Sequence, residues 1–151
     1  MLPLLPQRAI SVRAVANRIL HPHLTTGVET GGIVTIDYEG GIVATIDSSW
    51  SQPDSASSWG GLTLEVTTEH GAVRIAPFAP RVDGFDDEGH VWLPYGEDLD
   101  AAMLEEFIDA VRAHRTPQPD GETGVRSTAI MAAAIESART GVVVAVERAQ
   151  Y

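Results

Sequence analysis

Apolar positions along this chain recur at two different periods, and the change of period divides it. From Ile10 to Phe78 they tend to alternate with polar ones, the period of two that marks half-buried strands. Ile10 to Ile19 is predicted as a first strand, with Val12, Ala14 and Ala16 on one face and Arg13, Val15 and Asn17 on the other. His21-Pro22-His23 to Gly27 reads as loop. Gly32 to Tyr38 and Ile42 to Trp50 flank Glu39-Gly40-Gly41, a turn signal that predicts a hairpin. In its second arm Ile42, Ala44, Ile46, Ser48 and Trp50 share one face and Val43, Thr45, Asp47 and Ser49 the other. After a Ser, Pro, Asp and Gly loop from Ser51 to Gly60, Leu62, Leu64 and Val66 alternate with Thr63, Glu65 and Thr67. Glu69-His70-Gly71 turns the chain and Ala72 to Phe78 returns, with Pro77 and Pro80 ending that strand or marking it as an edge. Arg81 to Gly89 is expected to be a polar loop, and His90 to Tyr95 a short strand.

Beyond Asp98 the period becomes helical. Leu104, Phe107, Ile108 and Val111 stand at i, i+3, i+4 and i+7 and are predicted to form a core stripe, opposite Glu105, Glu106, Asp109 and Arg112. Asp98 and Asp100 sit where carboxylates accept orphan amide hydrogens at a helix start. Thr116-Pro117 ends the helix, because a residue before proline avoids the α region. A second helix is predicted over Val125 to Arg139, with Asp120 or Thr123 as N-cap and Gly141 as a left-handed stop. Its expected buried stripe is Ile130, Met131, Ala134, Ile135 and Ala138. Val142 to Val146 is nearly continuously apolar and reads as a strand covered on both sides. Hairpins followed by helices predict an α+β fold: an open, mainly antiparallel sheet with helices on one face and the other face available for dimerisation. That free face is mixed, with Thr45, Asp47, Thr63, Glu65 and Arg74 among Val43 and Phe78, and large exposed sheets tend to find partners.

Composition narrows the function. One domain over residues 1–151 is expected, long enough to bury a core. A net charge of −11 argues against nucleic-acid and anionic-membrane partners. With no cysteine there is no disulfide, thiol chemistry or thiolate-bound zinc. All ten basic residues other than histidine are arginine, so Schiff-base, P-loop and acid-catalytic lysines are excluded. Arg8, Arg13 and Arg18 precede the first acid, Glu29, faintly like a transit peptide, but strand-like alternation from Ser11 to Ile19 is the better reading. With a proline-broken opening and no apolar run of transmembrane length, a cytoplasmic protein is expected.

Candidate chemistry is sparse. His21 and His23 have no third ligand at regular spacing and read as surface loop residues. Asp83, Asp86, Asp87, Glu88 and His90 lack EF-hand spacing and read as a solvated loop. The serines from Ser48 to Ser58 lack a nucleophile elbow. Trp50, Trp59, Trp92 and Tyr95 are more often core or interface than ligand platforms.

Several short motifs nevertheless occur in a telling order: Phe107-Ile108-Asp109-Ala110-Val111-Arg112, Thr116-Pro117, Asp120-Gly121-Glu122, Ala132 to Gly141, and then a Val-rich strand. This run resembles the C-terminal end of the Gfo/Idh/MocA oxidoreductases, two-domain NAD(P)-dependent sugar and inositol dehydrogenases. The hairpin around Glu65-Val66 and His70-Gly71-Ala72 also resembles its counterpart, extending the likeness from about Ile10 to Val146. The resemblance implies an open sheet backed by helices, pairing of subunits through these sheets, and sugar bound between sheet and Rossmann domain. Arg13, Asn17, Trp50, Trp92 and Tyr95 are then the substrate-side candidates. No G-x-G-x-x-G occurs, and the glycine pairs at Gly31-Gly32, Gly40-Gly41 and Gly60-Gly61 precede strands, not helices. The family's Glu-Lys-Pro lysine has no counterpart, and its downstream Asp and His would lie before this chain begins. No catalytic, cofactor-binding or metal residue is therefore assigned. NAD(P) is implied for the full family architecture and is not expected to bind this chain alone.

Three functional readings follow. The first is the substrate-side and oligomerisation domain of a sugar or inositol dehydrogenase-like protein, not catalytically competent alone, with a homo-oligomer and a separate Rossmann-domain polypeptide as expected partners. The second is a non-enzymatic sugar-binding or scaffold module. The third is a hydrolase using the acidic loop at Asp86 and Asp87.

Overall fold

A computed structural model describes residues 5–19, 29–49, 61–76, 81–86, 89–94 and 96–147, with only the backbone described for 81–94. The order of elements is β1 (Ala9–Asn17), β2 (Gly31–Tyr38), a 3-10 turn (Glu39–Gly41), β3 (Val43–Ser49), β4 (Leu64–Thr68), β5 (Gly71–Ile75), β6 (Arg81–Asp86), β7 (Gly89–Pro94), α1 (Leu99–Arg112), α2 (Gly121–Thr140) and β8 (Val144–Ala145). All described strand pairs are antiparallel, as the α+β reading expects. Two compact units are separable by their contacts: residues 1–51 with 110–151, and residues 52–109.

The first unit is a four-stranded sheet in the order β3-β2-β1-β8, with α2 packed on β1 and β8. Its core follows from the alternation. Val12 pairs with Ile36 across the ladder, and both point to the helix side, where Ala9, Tyr38, Ile130 and Ala133 complete the cluster. Small residues on β1 and α2 let helix and sheet approach. Burying Val12 and Ile36 stabilises the fold by roughly 1.5–3 kcal/mol each.

The join between α2 and the sheet is polar and fully satisfied. Ser137 is fully buried; its Oγ accepts from the amide of Ala14 at 2.9 Å and donates to the carbonyl of Val142 at 2.6 Å. The β1–β8 ladder contains only Ser11 and Val12 on the β1 side, so Ala14 lies beyond it and takes its partner from the helix. Gly141 closes α2 at φ 75°, donating its amide to the Ser137 carbonyl, as the left-handed stop requires. At the other end Asp120 is the N-cap, accepting from the amide of Thr123 at 2.8 Å and from its hydroxyl at 2.7 Å.

In the second unit β4 pairs with β5, and β6 with β7, as separate two-stranded sheets. The β4–β5 hairpin keeps the expected alternation, with Leu64 opposite Ile75, Val66 opposite Val73, and Glu65 opposite Arg74. The last pair is an exposed ion pair at 3.5 Å.

Four expectations are corrected. Arg81 to Asp86 is a strand, not a loop, because a ladder is made by the backbone and Val82 and Phe85 supply enough β preference among the carboxylates. The last strand shrinks to Val144–Ala145, and Val142 and Val143 are exposed, because Gly141 and the hydrogen bond to Ser137 hold the preceding residues in a helix-ending turn. The α1 stripe is not core: Leu104 and Phe107 are each 57% exposed, and Ile108 and Val111 are exposed as well. In α2 the buried positions are Ile130, Ala133 and Ser137, whereas Met131 and Ile135 are 64% and 67% exposed. There the rotation is set by the small residues that fit against β1, a choice that hydrophobicity alone does not reveal. His21, His23, Trp50, Trp59, Phe78, Pro77, Pro80, Asp87, Glu88 and Tyr95 lie outside the described residues.

Candidate functional site

The first unit's free sheet face is built by three consecutive strands in register. Arg13 stands opposite Thr35, and Thr35 opposite Thr45; Val15 stands opposite Ile33, and Ile33 opposite Asp47. Asn17 stands opposite Gly31, and Gly31 opposite Ser49. Because side chains alternate, these nine positions share the face away from α2. Val15, Ile33 and Val43 are exposed on it. At the far end of the same face Ser11 donates to Asp37 Oδ2 at 2.7 Å.

Where β1 and β2 are about to part, the face sinks into a shallow groove of about 400 Å³. Val15, Asn17, Gly31, Ile33, Asp47 and Ser49 line it, together with Ala16, Gly32 and Ser48, which alternate to the opposite face. Gly31 shapes it: a Cβ there would meet Asn17 Nδ2 at 3.4 Å. Gly32 faces the other way, where a Cβ would press to 3.1 Å from the Val15 carbonyl. The Asn17 amide therefore lies close beside Gly31. Its Oδ1 accepts from the Thr30 hydroxyl at 3.2 Å and from the Ile19 amide at 3.3 Å. Thr30 is itself buried and donates its amide to the Asn17 carbonyl at 2.8 Å. Just beyond, Arg18 and Glu29 form an exposed pair at 3.1 Å. A backbone hydrogen bond first, and Arg18 second, hold the Glu29 carboxyl below its ordinary range.

The chemistry on offer is hydrogen bonding. An amide donor, a carboxylate and hydroxyls beside apolar Val15 and Ile33 suit a small polyhydroxylated molecule or the backbone of another chain. Among the described residues no cluster of three or more His, Asp or Glu could hold a metal.

Of the five candidates, Arg13 and Asn17 fall on this one face, but four residues apart, about 14 Å along an extended strand. Arg13 does not line the groove. Trp92 lies in β7 opposite Asp83, with its side chain outside the description, and Trp50 and Tyr95 lie outside the described residues. Asp47 and Ser49 were placed on the free face by alternation but were not picked out as site residues. The signal was the register itself, which sets both beside Val15, Ile33 and Gly31.

On the other side of the sheet a second groove, of about 710 Å³, runs between α2 and β8. Gly121, Gly124, Thr128, Ala129 and Ala132 line it with Val144 and Ala145. Glu136 at its edge is bound by Arg139 through bonds of 2.6 and 2.9 Å, which lower the carboxyl pKa and raise that of the guanidinium. No helix among the described residues is long and apolar enough to cross a membrane.

Comparison with known proteins agrees with this architecture. The model of an oxidoreductase family's C-terminal alpha/beta domain matches residues 4–146. The fold is similar to that of myo-inositol 2-dehydrogenase from Lactobacillus plantarum, at 24% identity and a TM-score of 0.74, covering 97% of this chain and 44% of that one. It is also similar to GenD2 from gentamicin A biosynthesis, solved in complex with NAD, at 21% identity and a TM-score of 0.78, covering 96% of this chain and 44% of that one. A third is scyllo-inositol dehydrogenase from Lactobacillus casei, solved with NAD(H) and scyllo-inositol, at 18% identity and a TM-score of 0.69, covering 93% of this chain and 43% of that one. The chain thus spans less than half the length of these solved relatives. No curated protein matches it.

Proposed function

As the chain belongs to the Gfo/Idh/MocA oxidoreductase family, through its C-terminal alpha/beta domain, we propose that it is the substrate-side and oligomerisation half of an NAD(P)-dependent sugar or inositol dehydrogenase-like protein. In this role it shapes a polyol site and subunit contacts and transfers no hydride by itself. The observation that carries the reading is the free sheet face, where exposed Val15, Ile33 and Val43 lie among Arg13, Asn17, Thr35, Thr45 and Asp47. Apolar side chains of that size on an open sheet favour association, and the polar ones between them fix its register. Two relatives named above hold NAD or NAD(H), and one also holds scyllo-inositol, which supports a polyol as the substrate class and the nicotinamide dinucleotide as the cofactor of the whole architecture.

The test has two arms. In the first, sedimentation of the purified chain is expected to show a self-associated species, and Ile33→Asp with Val15→Asp to return it to monomer without loss of helicity. In the second, titration calorimetry with NAD and NADP is expected to show no binding to this chain alone. Binding and myo-inositol oxidation are expected when a polypeptide carrying a Rossmann fingerprint and the Glu-Lys-Pro lysine is supplied. A chain that stays monomeric at all concentrations, or one that retains a dinucleotide unaided, would overturn the reading. Binding of sugar with no turnover under any supplementation would favour a non-enzymatic module.

A further inference from the structure

We infer that the outer face of α1 is a docking surface for a separate polypeptide that presents an amphipathic apolar face bordered by arginine or lysine. It is a different surface from the free sheet face, so it stands or falls independently of the function proposed above.

The first observation is a segregation of charge. Thirteen of the 21 acidic residues but only two of the ten arginines fall within residues 52–109, which leaves eight of each in the rest of the chain. The first unit is therefore neutral, and the second carries the whole net charge of −11. The second observation is apolar exposure. Among the described residues, none of the buried side chains belongs to residues 52–109. Within that segment α1 exposes Leu99, Met103, Leu104, Phe107 and Ile108. At about 100° per residue these five occupy one half of the helix surface. Asp100 falls within that arc, between Phe107 and Leu104, while Glu105 borders it beyond Ile108 and Asp98 and Asp109 lie behind it.

Together the two observations select the partner. The large apolar side chains around Asp100 gain from leaving water, by roughly 25 cal/mol for each Å² covered. A second copy meeting it through the same face would oppose two strongly acidic units, and like charges across an interface cost affinity. Nucleic acid and anionic lipid are repelled for the same reason. A cationic amphipathic face satisfies both features, with Met103, Leu104 and Phe107 as apolar anchors, Asp100 between them and Glu105 at the rim as partners for its arginines or lysines.

The experiment uses the whole chain and a defined probe, an amphipathic leucine–arginine peptide of about 20 residues, long enough for a helix that spans α1. A leucine–glutamine peptide of the same pattern is the control. Fluorescence anisotropy is expected to show at least tenfold tighter binding of the arginine peptide at low salt, and the advantage is expected to shrink as salt rises. Leu104→Ser with Phe107→Ser is expected to weaken binding at least tenfold, and Glu105→Gln to flatten the salt dependence. Hydrogen exchange on the unsubstituted chain needs no variant to fold, and is expected to show protection across α1 when the peptide is added. Equal binding of the two peptides, or protection confined to other elements, would overturn the inference. So would self-association of the chain that the serine substitutions abolish, since a second copy would then be the occupant.

Discussion

At the scale of single residues, the fold depends on side chains that answer for backbone groups. Ser137 is the clearest. Its hydroxyl serves the amide of Ala14 and the carbonyl of Val142 at once, with no exposure to water that could replace either bond. Ser137→Ala would leave a buried donor without its partner and loosen the turn into β8, at a cost of about 1–3 kcal/mol. Ser137→Cys keeps a weaker donor and acceptor and is expected to lose less. Equilibrium urea unfolding would measure both, and a loss under about 0.5 kcal/mol for alanine would show that the hydroxyl is dispensable. Asp120 makes a prediction about pH. The amide of Thr123 first, and its hydroxyl second, hold the Asp120 carboxyl below its ordinary value. A depressed carboxyl stabilises the folded state above its unfolded pKa, and that contribution disappears as pH falls through the folded value. Glu136, lowered chiefly by Arg139, acts in the same direction. The helix is therefore expected to weaken in acid. Asp120→Asn, which caps without ionising, should remove part of that acid dependence while keeping the neutral-pH melting temperature close to native. A circular-dichroism titration of the two proteins that superimposed at every pH would show that the cap carries no such linkage.

At the scale of elements, how much could be read depended on which periodicity had a single meaning. The β2–β3 and β4–β5 hairpins were legible because glycine turns and strict alternation agree, and their observed registers follow the predicted faces. The C′ residue of α2 was legible for a similar reason, since Gly141 has few other uses in such a position, and the N-cap was legible as Asp120 or Thr123, of which the structure uses Asp120. The faces of the helices were not. A helical stripe shows which side chains avoid water, not which partner they avoid it with. In α2 the ridge of Ile130, Ala133 and Ser137 faces the sheet because small residues allow the backbone of β1 to approach, while larger Met131 and Ile135 stay outside. Ile130→Ala is accordingly expected to cost about 2–4 kcal/mol, and Met131→Ala less than about 1 kcal/mol, in the same urea titration. A reversal of that order would mean that the sequence-derived stripe describes the packing after all. The groove was partly legible too: alternation put Asn17 with Arg13 and Val15 on one face of its strand and Asp47 with Ser49 on one face of another, but only register shows that these faces are the same and that both residues border Gly31 and Ile33.

At the scale of the whole molecule, core and charge are divided along the same boundary. The first unit holds Val12, Ile36, Tyr38, Ile130 and Ala133 in one cluster and is electrically balanced. Residues 52–109 have strands paired only two by two, no buried side chain among the described ones, and an excess of carboxylates that repel one another. An isolated hairpin is marginal in water without a covered face, and self-repulsion lowers stability further. The two units should therefore open at different free energies, with the β1–β2–β3 sheet and α2 exchanging amide hydrogens only by the most costly openings. Hydrogen exchange is expected to protect residues 31–38 and 125–137 by at least a hundredfold more than residues 64–75. Salt should narrow the gap, because it screens repulsion in the acidic unit and leaves the apolar cluster of the neutral one little changed. Uniform protection, or a gap indifferent to salt, would mean that residues 52–109 have a core of their own. Protection that rises in this segment only when a cationic partner is added would tie its stability to assembly: the acidic unit would then gain from a contact what the neutral unit already has from α2 lying on the sheet.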